Sequence, residues 1–257
     1  MPSWTPCPFT GVFQHHRDSI VGHWARLHTG DAEPLPTDVA LLDAWVLYHN
    51  GAFEDAALAA LALGPSGFTL ANKAACIHAT YVEPSEPVRL ERLLGAVERA
   101  QQQQALAPDV PGAWYWQGYA LGRYSQGVSV AKALAKGLGS KVRHALDTTI
   151  ALAPHHADAH LALANFHAEV IDKVGELIGS MVHGARKSAA LGLYEKALAL
   201  NPQSAVTLHE YANGLMMLEG EGGLARATQL RERAEAFEPL DAMERLYLAG
   251  VRADLGG

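Results

Sequence analysis

Isoleucine and cysteine are scarce in this chain. Five isoleucines among 257 residues leave few candidates for a buried strand. Two cysteines, Cys7 and Cys76, make neither a disulfide framework nor a thiolate metal site, and neither has an evident base partner. No stretch reaches the roughly 18 consecutive apolar residues that cross a membrane. Residues 1–10 hold three prolines and have neither the basic nor the apolar region of a signal peptide. The expectation is therefore a cytoplasmic protein. A net charge of −7 argues against nucleic acid as a partner. Gly137-Leu-Gly-Ser-Lys141 lacks the residue order of a phosphate loop and follows no strand, so Ser140 is read as a helix N-cap, with Ser180 as its counterpart. With no nucleophile–base pair, carboxylate pair or cofactor motif on one face, the chain is not expected to be an enzyme and implies no cofactor.

Acid is also missing locally. Between Asp109 and Asp147 there is no Asp or Glu, while Arg123, Lys132, Lys136, Lys141 and Arg143 give that stretch a charge of +5. Lys132 and Lys136 are four apart and share a helix face.

What is abundant is alanine, at 45 residues, the best helix former and the side chain that lets helices approach closely. Prolines then punctuate the alanine-rich runs. Pro108, Pro154, Pro202 and Pro239 each follow a helical pattern, and a new one begins after each. Helix pairs are expected at about 67–82 and 85–106, 111–135 and 139–152, 156–175 and 178–200, and 204–219 and 222–237. Before them come a helix over 11–28 and a pair made of a helix beginning Asp38-Val39, capped by Thr37 and ended by Asn50-Gly51, and a second helix over 51–61. A last helix covers 240–253.

Ala190, Tyr194, Ala197 and Pro202 have the spacing of the second helix of a tetratricopeptide repeat (TPR). Trp114 with Gly118, His160 with Leu163, Ala164 and His167, and Leu208 with Tyr211, Ala212 and Leu215 have that of the first. The chain resembles that family. The prolines are 46, 48 and 37 residues apart where the usual repeat is about 34. Two units thus carry extra residues between their helices, small and apolar enough to be expected as additional helical turns. Such lengthened hairpins are similar to those of the TRAP-transporter-associated T-component proteins and the regulator-of-microtubule-dynamics proteins. The resemblance implies an all-α, TPR-like α-α superhelix of about five antiparallel hairpins, two of them elongated. It is read as a single helical-repeat domain over 1–257: an N-terminal segment and helix (1–36), two generic hairpins (37–108), three TPR-like hairpins (109–239) and a capping helix (240–257).

The work implied is non-catalytic: a scaffold whose concave face holds a peptide, a protein partner or a small anionic or amphipathic ligand. The alternative is a ligand- or metal-handling accessory protein of a transport or stress system. Tyr115, Tyr119 and Tyr124, with Arg123, Lys132, Lys136 and Arg143, are the candidate binding residues. Aromatic walls and a few cations suit a small anion or an acidic partner segment. Trp114 takes the repeat's core position. His156 and His160, four apart, are the candidate metal ligands, set against a core role for His160 and His167. The final helix, with Leu246, Tyr247, Leu248 and Val251, either caps the solenoid or forms a contact between copies.

Overall fold

A computed structural model describes residues 4–254, and among them there is no strand. After α1 (Arg17–Leu27), five antiparallel pairs follow. They are α2 (Val39–His49) with α3 (Phe53–Ala62), α4 (Phe68–Tyr81) with α5 (Glu86–Leu106), α6 (Pro111–Gln126) with α8 (Leu138–Leu152), α9 (Ala157–Val174) with α11 (Lys187–Leu200), and α12 (Ala205–Glu219) with α13 (Leu224–Glu235). The extra residues of the two long units form α7 (Val130–Ala135) and α10 (Glu176–His183), and α14 (Ala242–Asp254) ends the described chain.

Local chemistry sets the ends of these helices. Asp38, rather than Thr37, caps α2: its Oδ1 accepts from the Ala40 amide at 2.7 Å. Ser204 does the same for α12, accepting from the Thr207 amide at 3.1 Å. Ser140 and Ser180 are not caps. Both lie inside helices, α8 and α10, because Gly137 (φ +61°) and Gly175 (φ +81°) make the entry turns in a conformation closed to most side chains. The first helix begins at Arg17 and not at 11, since the preceding segment is tied down elsewhere: the His15 amide donates to Asn50 Oδ1 at 2.8 Å.

Small residues let paired helices touch and large ones fill the gaps. Tyr194 is fully buried, stacks on Tyr211 at 4.8 Å between ring centroids and donates its hydroxyl to Asn165 Oδ1 at 2.6 Å. Its ring lies so close over Gly214 that a β-carbon there would collide with the Tyr194 hydroxyl oxygen. The repeat register read from Ala190, Tyr194 and Ala197 is thus the register of the core. Trp114 departs from it. Its indole is partly exposed and donates to the Pro108 carbonyl at 2.7 Å, while Tyr115 and Trp116 are buried. Three consecutive aromatics cannot all face inward, and Trp116 packs with Tyr115 and Tyr119 in the core.

The last helix folds back across the inner face of the superhelix. α14 packs on α12 and α13 and also reaches α2 and α4, close to the other end of the chain. Tyr48 donates its hydroxyl to Met243 Sδ at 2.8 Å, Arg26 pairs with Glu244 at 2.6 Å, and the Tyr81 and Tyr247 rings meet at 5.0 Å. A second tie joins the turn after α1 to the start of α9, where the Asp158 amide donates to the Gly30 carbonyl at 3.0 Å.

Candidate functional site

While α14 packs on the inner face beside α2 and α4, a cavity opens between α6, α8 and α9. Its volume is about 340 Å³. Two helix faces build it. On α6, Tyr115, Gly118, Tyr119, Gly122, Arg123 and Gln126 recur at three- and four-residue steps. On α9, Asp158, Leu161, Ala162, Asn165, Phe166, Glu169, Val170 and Lys173 do the same. Helical periodicity therefore turns one stripe of each helix toward the same space. Tyr81, Tyr247 and Glu210 close one end, and Leu138, Val142 and Leu146 of α8 line the side.

The inserted helices supply the rim. Val130 and Leu134 of α7 and Val182 of α10 line the cavity and are nevertheless 50%, 51% and 60% exposed. The α10 insertion meets α8 near the cavity, where Arg143 donates from Nη1 to the His183 carbonyl at 2.9 Å.

Most polar groups inside are held in pairs. Arg123 Nη2 donates to Glu210 Oε1 at 3.2 Å, and the other oxygen of Glu210 accepts from Asn165 Nδ2 at 3.1 Å. Gln126 Nε2 donates to Glu169 Oε1 at 2.8 Å, and Lys173 stands 3.9 Å from Oε2 of the same carboxylate. Burial pushes the Glu169 carboxyl upward, opposed by Lys173 and Arg123. Tyr119 donates to Thr80 Oγ1 at 3.2 Å, and the Arg123 guanidinium lies 5.4 Å from its ring centre. Asp158 differs. Among the described residues no hydrogen-bond donor or ion-pair partner meets its carboxylate. Burial, reinforced by the Asp31 carboxylate and opposed by Lys73, pushes it up to about 7.

The candidate residues read from the sequence divide in two. Tyr115, Tyr119 and Arg123 come together on the α6 stripe. Tyr124, Lys132, Lys136 and Arg143 are not in the lining. Tyr124 is buried with the Lys136 ammonium 5.6 Å from its ring centre, Lys132 is exposed, and Arg143 pairs with Asp147 at 3.4 Å. His156 and His160 do not converge on one point. His156 caps α9, its Nδ1 accepting from the Ala159 amide at 3.1 Å, and His160 Nε2 lies 2.9 Å from the Pro154 carbonyl. Asp158, between them in sequence, is the residue of that cluster that reaches the cavity. Asp158, Asn165 and Glu169 were findable from the inward stripe of α9. Glu210, Tyr81 and Tyr247 come from helices that only the superhelical winding brings near.

The fold defines an α-α superhelix of the TPR type. A solved structure, a thermophilic TPR protein from Thermus thermophilus, matches with a TM-score of 0.59 at 17% identity, over 83% of this chain and 97% of that one. No family model matches the sequence, and no curated protein does. No helix among the described residues is long and apolar enough to cross a membrane.

Proposed function

We propose that this chain is a non-catalytic binding scaffold that holds a small amphipathic ligand in the cavity between α6, α8 and α9. The cavity itself carries the reading: its volume is in the range of small-molecule sites, its walls are mostly apolar, and its few polar groups are concentrated on two helix stripes. Repeat superhelices generally bind along their concave surface. Here α14 covers part of that surface, which favours a compact ligand over a long extended peptide. The lining offers no cysteine, and Ser125 donates its hydroxyl to the Gly122 carbonyl at 2.7 Å rather than to a base. The helices that form the rim are the same insertions that make the chain resemble the T-component proteins, and a ligand-handling role beside a transporter would use this cavity too.

The test is a titration with n-hexanol, a small neutral amphiphile, followed through methyl NMR signals. The expected result is saturable shifts at Leu134, Val142, Leu161 and Val182. Shifts confined to α12 and α13, or none at all, would contradict the proposal.

A further inference from the structure

We infer that the ligand is an amphipathic cation, a single ammonium group on an apolar body, whose charge is met by Asp158. The inference rests on the cavity being the binding site and adds the charge of its occupant. The charged residues of the lining are Arg123, Lys173, Asp158, Glu169 and Glu210, with His183 counted neutral. Arg123 is neutralised by Glu210 at 3.2 Å, and Lys173 stands 3.9 Å from Glu169. One negative charge is left over, that of Asp158 once its carboxyl, pushed up by burial to about 7, has ionised.

The usual structural use of an acid in this position is already taken. Asp158 lies in the first turn of α9, where a carboxylate commonly caps free amides. In this helix His156 does that work, accepting from the Ala159 amide, and the Asp158 amide is bonded to Gly30. Asp31, the nearest buried acid with a cation of its own, holds Lys73 at 2.5 Å and His28 at 2.9 Å, so Lys73 is committed away from Asp158. The Asp158 carboxylate is pressed against the Gly30 backbone, where a β-carbon would come within 2.5 Å of Oδ1. Among the described residues no side chain pairs with it directly, and Lys73, which shares a second pocket lining with it, acts on it only through space.

The surroundings suit a cation with an apolar body. Tyr115, Tyr119, Tyr81 and Tyr247 line the same cavity, and aromatic faces attract ammonium groups. An anion would meet a net negative lining and would have to displace Glu210 from Arg123. This reverses the polarity expected from the basic 110–146 segment, because Lys132, Lys136 and Arg143 lie outside the lining.

The experiment is a calorimetric titration of the whole chain with three probes of equal length: n-hexylammonium, n-hexanol and hexanoate. Hexylammonium is expected to bind at least about tenfold more tightly than either of the others. Asp158→Asn should bring hexylammonium affinity down to that of hexanol measured on the same variant. Hexanoate binding best, or equal binding of all three, would overturn the cation assignment while leaving the cavity as the binding site. Absence of binding by every probe would overturn both. The comparison of probes on the unmodified chain decides the matter even if Asp158→Asn folds poorly.

Discussion

His49 Nδ1 lies 2.7 Å from Asp241 Oδ2, and both side chains are fully buried although 192 residues separate them. This contact fastens the start of α14 to α2. Burial works against the Asp241 carboxylate, but hydrogen bonds from His49 and the Glu244 amide hold it below its ordinary range, while burial lowers His49 itself. Without this contact, the covering of the inner face by α14 would rest on apolar contacts, the Tyr48–Met243 hydrogen bond and the Arg26–Glu244 pair. Removing one member of a buried pair leaves the other uncompensated. His49→Ala is therefore expected to cost about 3–5 kcal/mol in urea unfolding. Amide exchange should accelerate first in α14.

Tyr194 tests the repeat register. Tyr194→Ala should destabilise by about 3–5 kcal/mol, as truncations of large buried aromatics do. Tyr194→Phe keeps the stack on Tyr211 and loses only the hydrogen bond to Asn165, so about 1 kcal/mol is expected. Denaturant titration of both variants separates packing from hydrogen bonding.

Stability should depend on pH with a plateau on the acid side of neutrality. Burial raises the Glu33 carboxyl to about 8 and the Asp158 carboxyl to about 7. The unfolded chain releases these protons near 4. Between those values the folded state binds more protons, so stability falls as pH rises toward 8. Burial also holds His28 and His156 down at about 4, whereas unfolded histidine takes its proton near 6.5. Below 6.5 the unfolded state gains those protons, which offsets the two carboxyl protons of the folded state, so the gain in stability levels off as pH drops. Calorimetric melting should show Tm rising from pH 8 to 6.5, and Glu33→Gln should flatten that rise.

The lysines outside the lining should not matter to the cavity. Replacing Lys132 and Lys136 together with Ser is expected to leave n-hexanol affinity within about twofold, as befits exposed charges. Isothermal titration of the double variant checks this.

Much of the fold was legible because helix propensity and proline punctuation are local. The α9/α11 and α12/α13 hairpins follow directly from Ala190, Tyr194, Ala197 and the prolines after them. The added turns in the long units could be read from the small apolar residues that became α7 and α10. What could not be read was winding. Nothing near Asp241 or Met243 in sequence announces His49 or Tyr48 as a neighbour, so the role of α14 emerges only in three dimensions. The site was half legible for the same reason. Tyr115, Tyr119 and Arg123 share one stripe of one helix, whereas the cancellation of Arg123 by Glu210 depends on two residues 87 positions apart on different helices.

The central claim, that the cavity is where the ligand sits, is tested most directly by filling it. Gly122 lines the cavity, and a β-carbon there would meet nothing within 4 Å. Gly122→Leu therefore places a side chain in the open space and should raise α6 stability by about 0.5–1 kcal/mol. Calorimetric titration with n-hexanol is expected to show one site per chain in the unmodified protein and none in Gly122→Leu. Equal binding by both proteins would contradict the account.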